Sequence, residues 1–131
     1  MKKINFLTLA EVIEIHENQI RHYSGYGGIR DINLLSSAAA MPQASFSERL
    51  LHSDILEMAA AYAFHICQNH PFIDGNKRAA LASALVFLEM NGISIEDPSG
   101  ELYGVMVNMA SGKLNKSQLA EILRRLRKNG K

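Results

Sequence analysis

Apolar residues recur at helical spacing along most of the chain and mark out six segments. Leu9, Val12, Ile13, Ile15 and Ile20 share one face of a first helix. Thr8 and Glu11 stand in the order of a capping box and predict where it starts. It ends before Gly25-Tyr26-Gly27-Gly28, a turn whose glycines permit positive φ. Asp31 is placed to cap a second helix to about Met41, where Pro42 stops it. Ala44–Ser53 then reads as a polar connection, either a loop or a short β-hairpin. Asp54 caps a third helix to about Asn69, and a fourth runs from about Gly75 to Met90, closed by Asn91-Gly92. Ser99 opens a fifth to about Ala110, and Asn115-x-x-Gln118 caps a sixth to about Lys128.

The third and fourth segments are apolar nearly all round, which marks central helices, and their alanines let neighbouring backbones approach closely. Neither internal repeats nor linkers interrupt the pattern. The expectation is one all-α domain over residues 1–131, a compact bundle of about six helices.

Composition narrows the function. A chain of 131 residues with 47% hydrophobic and 21% charged positions suits one soluble globular domain. A net charge of +1 gives no general attraction to nucleic acid or acidic membranes. Arg124, Arg125, Arg127, Lys128 and Lys131 gather near the end, where cations suit a solvated last turn. Cys67 is the only cysteine, which excludes an intrachain disulfide and points to a reducing compartment. Glu11 and Glu14 break the apolar run after Lys2 and Lys3, unlike a signal peptide. The apolar run Ala79–Leu88 falls far short of the roughly 20 residues of a membrane span. A cytoplasmic protein with no membrane partner is expected.

Candidate chemistry concentrates in residues 70–78, His-Pro-Phe-Ile-Asp-Gly-Asn-Lys-Arg. Pro71 disfavours helical backbone at the residue before it, so His70 falls at the C-terminal edge of the third helix. That edge carries partial negative charge, which suits a group that accepts a proton. The next helix begins five residues later, with unpaired N–H groups and partial positive charge, a ready anion site. Gly75 leaves room for a phosphate, Asn76 adds an amide, and Lys77 and Arg78 add charge. A base beside an anion cradle suits transfer of a phosphorus-containing group to a hydroxyl. His70 would take the hydroxyl proton, an effect worth about 10²–10⁴ in rate. Asp74 would hold a Mg²⁺ on the phosphates.

Two roles compete for Asp74, because as N-cap of the fourth helix it would occupy the amides a phosphate needs. Phe72 reads as a buried anchor for the loop. His16, His22, His52 and His65 lack metal-binding spacing and read as structural or surface groups. The glycine cluster at 25–28 lacks the order of a phosphate-binding loop.

The nine-residue run resembles the signature of the Fic/Doc superfamily, His-Pro-Phe-x-Asp/Glu-Gly-Asn-x-Arg. Phe6-Leu-Thr-Leu, Gly28-Ile29-Arg30-Asp31, Met41-Pro42-Gln43, Asn69 and Asn91-Gly92 are similar to its Doc (death-on-curing) branch. The resemblance implies an all-helical domain that uses ATP and Mg²⁺ to modify a protein hydroxyl. It makes His70 the catalytic base and Asp74 the metal ligand, with Gly75, Asn76, Lys77 and Arg78 as the phosphate site. Ala44–Ser53 falls where relatives carry a flap that aligns the target backbone by strand addition.

Lys77 stands where the superfamily divides. Nucleotidyl-transferring members often have glycine there, whereas lysine in Doc-like members implies a reversed ATP that donates its terminal phosphoryl group. Gly75 departs from Doc members with alanine and matches the nucleotidyl-transferring pattern. The favoured expectation is a Doc-like toxin of a toxin–antitoxin pair that phosphorylates a translation elongation factor and blocks protein synthesis. An AMP transferase with the same motif is the alternative, and a non-catalytic binding domain the third. Ser117-x-x-x-Glu121 resembles the start of a self-inhibitory motif, but Ile122 departs from it. Inhibition by a separate small antitoxin protein is therefore expected.

Overall fold

Local sequence signals fix most helix starts. The computed structural model describes residues 3–47 and 54–128. Thr8 and Glu11 form the reciprocal capping box and open α1, Leu9–Tyr23. Asp31 Oδ1 accepts from Leu34 N–H at 3.0 Å and opens α2, Ile32–Ser47. Asp54 accepts from Glu57 N–H at 2.9 Å and caps α3, Ile55–Asn69. Then come α4, Asn76–Met90, and α5, Glu101–Ala110. Asn115 and Gln118 form a second capping box at α6, Lys116–Leu126.

Two expected boundaries differ. Pro42 does not stop α2, which continues to Ser47 with the proline inside it. Proline's fixed φ is itself helical; the bond to the Ala38 carbonyl is forfeited and the ring crowds that carbonyl, and burial of the ring offsets part of this cost. The first residues of the expected flap at Ala44–Ser53 therefore belong to this helix, while 48–53 lie outside the described residues. Ser99 does not cap α5. Gly100 takes the N-cap position at φ 71°, and the Asp97 carboxylate accepts from Glu101 and Leu102 N–H at 2.9 and 3.0 Å. A carboxylate can satisfy two orphan amides at once, which one hydroxyl does less well.

α3 is the hub. It packs on α2, α4, α5 and α6, while α4 also touches α1 and α5. Ala59, Ala60, Ala63, Ala79, Ala80 and Ala84 are fully buried, and their small side chains let α3 and α4 pack closely. Cys67 is buried with them, and burial raises its thiol pKa more than Lys77 lowers it. The segment before α1 is tied down by Leu7 N–H on the Tyr62 hydroxyl, 2.8 Å, and by reciprocal bonds between Asn5 and Asn91. Isolated bridges at Ile29–Phe72 and Ile95–Arg127 are the only sheet-like pairings among the described residues. No described helix is long and apolar enough to cross a membrane.

Candidate active site

The loop between α3 and α4 carries the His70–Arg78 run, and the chain on either side dictates its shape. His70 is the C-cap of α3, in left-handed conformation at φ 48° and ψ 54°, with its side chain exposed. For a non-glycine residue that conformation costs on the order of 1 kcal/mol and needs outside support. Arg30 supplies it. Its Nε donates to the His70 carbonyl at 2.6 Å and its Nη2 to the Asn69 carbonyl at 2.9 Å. The cation thereby satisfies the last carbonyls of α3 at the negative end of the helix.

Backbone pairing holds the next residues. The Pro71 carbonyl accepts from Arg30 and Asp31 N–H at 2.7 and 3.0 Å, and Ile73 N–H donates to the Gly28 carbonyl at 3.1 Å. Phe72 is 1% exposed, beneath the loop. Asn76 folds its amide back on Phe72, accepting from its N–H at 2.9 Å and donating to its carbonyl at 3.0 Å. Both ends of that amide are engaged, and one amide hydrogen stays available beside the backbone N–H of Asn76.

Asp74 does not cap α4. Gly75 holds the N-cap position at φ 75°, and no side chain caps this helix. The first helical bond runs from Ala79 N–H to the Gly75 carbonyl, leaving the N–H groups of Asn76, Lys77 and Arg78 without helical partners. The Asp74 carboxylate accepts instead from Tyr26 N–H at 3.1 Å and from Gly75 N–H at 2.8 Å. Those two N–H groups, then the nearby Arg78 and His16, hold its carboxyl below the usual carboxylate range against slight desolvation. Each oxygen keeps a lone pair for a cation. Arg78 is half-exposed and makes no hydrogen bond or ion pair among the described residues. Lys77 is half-exposed on the same turn, and its charge reaches Cys67 of α3.

The turn at 24–28 closes over this group. A Cβ at Gly25, where φ is 124°, would stand 2.7 Å from Asp74 Oδ2 and 3.2 Å from Arg78 Nη2. Only glycine lets the turn come so near. The loop therefore carries an exposed imidazole, an ionised carboxylate, an uncapped helix entrance and a guanidinium that makes no hydrogen bond among the described residues.

Three contributors were not assigned to the site from sequence. Arg30 carried no sign of its fork. Gly25 was one of a cluster of turn glycines. His16 is 1% exposed, and its ring lies parallel to Phe72, 3.8 Å between centroids and 3° between planes. Its Nε2 stands 2.7 Å from the Asp74 carbonyl. A signal existed, because His16 follows Val12 and precedes Ile20 by four residues and so falls on the buried stripe of α1. Of the other histidines, His22 bonds the Asn18 carbonyl and His65 lies by Lys116, while His52 is outside the described residues. No cluster of three metal-binding side chains occurs among the described residues. The basic end is largely paired: Arg124 meets Asp54 and Glu121, and Arg125 meets Glu101.

Comparison with known proteins identifies the family. A family model described as the Fic/DOC family matches residues 6–88, from the segment before α1 into the last turn of α4. The chain is 36% identical over 116 residues to the protein kinase Doc of Escherichia phage P1, spanning 88% of this chain and 90% of that protein. It is 38% identical over 73 residues to the toxin Doc of Mycolicibacterium smegmatis, 53% of this chain and 56% of that one. With its helical order, its loop and these relatives in agreement, the chain belongs to the Fic/DOC family, in its Doc branch.

Proposed function

We propose that this chain is a Doc-like toxin of a toxin–antitoxin pair, an enzyme that moves the terminal phosphoryl group of ATP to a hydroxyl of a target protein. One observation carries the reading: an exposed His70 ends α3, and one short loop later α4 begins with no side-chain cap. The first position suits a proton acceptor and the second a phosphate.

The target hydroxyl oxygen bonds to the terminal phosphorus as the bond from that phosphorus to the bridging oxygen of ADP breaks. His70 takes the hydroxyl proton. The N–H groups at the start of α4, with Lys77 and Arg78, hold the negative charge of the phosphates. An ionised Asp74 with free lone pairs fits Mg²⁺, which takes one or two carboxylates together with phosphate oxygens. When bound, that ion supplies further charge neutralisation on the phosphates.

Two relatives support the reading by name, one, a protein kinase, for the reaction and the other, a toxin, for the role. Lys77 supports it too, since the family pattern links lysine there to a donated terminal phosphoryl group. The target in this reading is a translation elongation factor, the consequence is arrested protein synthesis, and the inhibitor is a small antitoxin. A single buried Cys67 suits action in a reducing cytoplasm. AMP transfer keeps one supporting observation, the glycine at 75, which matches the nucleotidyl-transferring pattern. A binding-only role through the basic end is disfavoured by the ion pairs of Arg124 and Arg125.

Incubating the protein with ATP, Mg²⁺ and a ribosome-free lysate, then weighing the lysate proteins, tests the reading. A phosphoryl-sized increment on an elongation factor is expected. An AMP-sized increment replaces phosphoryl transfer with AMP transfer, and no increment on any protein overturns both.

A further inference from the structure

We propose that His16 is a positioning residue whose task is to hold the Asp74–Gly75 peptide in one orientation. The inference rests on the reading of this loop as a phosphate site and explains how its carboxylate and amides stay correctly aimed.

His16 lies beneath the loop, buried on α1 and stacked on Phe72. The stack fixes the plane of the ring, and the 2.7 Å contact fixes its direction. A carbonyl oxygen only accepts, so Nε2 carries the hydrogen and donates it to Asp74. All peptides among the described residues are trans, and in a trans peptide the C=O and the N–H point opposite ways. With the Asp74 carbonyl drawn inward to His16, the Gly75 N–H is turned outward, where it meets Asp74 Oδ1 at 2.8 Å.

This is a link that needs holding. Gly75 sits at φ 75°, and glycine takes either sign of φ at little cost, so the peptide before it can turn over. Turned over, the Asp74 carboxylate would lose one of its two N–H donors and face a carbonyl oxygen instead. That oxygen would add partial negative charge beside Arg78 and the open start of α4, where an anion is to bind. The inward partner of that carbonyl is His16, and its ring N–H favours this orientation over the turned one. A histidine that merely filled space would need the stack and not the bond.

Two variants separate these roles. His16→Phe keeps an aromatic ring against Phe72 and removes the donor. His16→Gln keeps an N–H at nearly the same reach and removes the stack. Each is measured for thermal unfolding, for the Gly75 amide signal by NMR without ligand, and for binding of inorganic triphosphate by calorimetry without metal. For His16→Phe the Gly75 amide should broaden or split, and triphosphate affinity should fall about tenfold, the scale of one hydrogen bond. For His16→Gln a single Gly75 signal and an affinity within about threefold of wild type are expected, although it melts earlier. Should His16→Phe fail to fold, His16→Leu carries the same readouts. An unchanged Gly75 signal in the donor-less variant overturns the proposal. So does an equal loss of affinity in both variants that merely follows their loss of stability. If wild type binds no triphosphate, the phosphate-site reading fails, and the Gly75 signal still decides the role of His16.

Discussion

Arg30 grips the carbonyl of His70 at 2.6 Å from its Nε, and it does so from a turn 40 residues earlier in the chain. The same guanidinium reaches Asn69, and the Arg30 N–H holds Pro71. Three consecutive carbonyls around the proposed base are thus satisfied by one residue. Arg30→Ala should lower kcat for protein modification by about ten- to a hundredfold, because it frees the backbone of His70 to leave φ 48°. Nucleotide affinity, which the proposal places at the start of α4, should change by less than about threefold. Arg30→Lys should behave like the alanine variant, since one ammonium cannot form the fork. Steady-state kinetics beside nucleotide binding checks this, and an equal loss in both would contradict it.

The contrast between Arg30 and His70 shows what the sequence made legible. Helix starts written in short range, at Thr8 with Glu11, at Asp54 and at Asn115 with Gln118, were readable because cap and capped amide lie within one turn. His70 at a helix end followed from Pro71 alone. The support from Arg30 and His16 was not readable, because it depends on how α1 and the 24–31 turn fold over the loop. Pro42 misled for a related reason, in that burial outweighed a local rule. The competition over Asp74 was open in the sequence, and the positive φ of Gly75 resolves the capping half of it by making glycine the N-cap.

Gly75 has little room for a side chain. An added Cβ would lie 3.1 Å from Ile20 Cδ1, at a φ of 75° that L-residues avoid. Gly75→Ala should therefore destabilise the fold by about 1–2 kcal/mol. Thermal unfolding should show a fall of roughly 3–8 °C. No shift in melting temperature would mean that the loop backbone relaxes away from this conformation.

Tyr62 links the segment before α1 to α3. Burial first, and Glu11 in addition, raise its hydroxyl pKa to about 12, against the opposing bond from Leu7. The neutral form is favoured in the folded state, so its contribution is complete below pH 10 and is lost as pH rises through about 12. Tyr62→Phe leaves Leu7 N–H without its acceptor and should cost about 1–3 kcal/mol at neutral pH. It should also flatten the alkaline loss of stability. Denaturant unfolding at neutral and alkaline pH measures both.

Asp74 gives the opposite sign. Tyr26 and Gly75 N–H hold its carboxyl below 3.8, so the interactions it makes are present above that value and lost as pH falls through its lowered pKa. Mg²⁺-dependent nucleotide binding should therefore stay constant from neutral pH to about pH 5, as far as this carboxylate governs it. Asp74→Asn should weaken it by at least about tenfold, since an amide has one oxygen to meet two N–H donors and no charge for a cation. Calorimetric titration across that pH range, with and without the substitution, decides the point.

The central claim is that His70 delivers a hydroxyl to the terminal phosphorus of an ATP seated at the start of α4. Its most direct test uses two preparations of ATP, one labelled in the terminal phosphoryl group and one in the adenine, with wild type and His70→Ala and a lysate as substrate. The account predicts protein-bound label from the terminal phosphoryl group alone, abolished in a folded His70→Ala. Adenine label on protein, or transfer by His70→Ala at the wild-type rate, would contradict it.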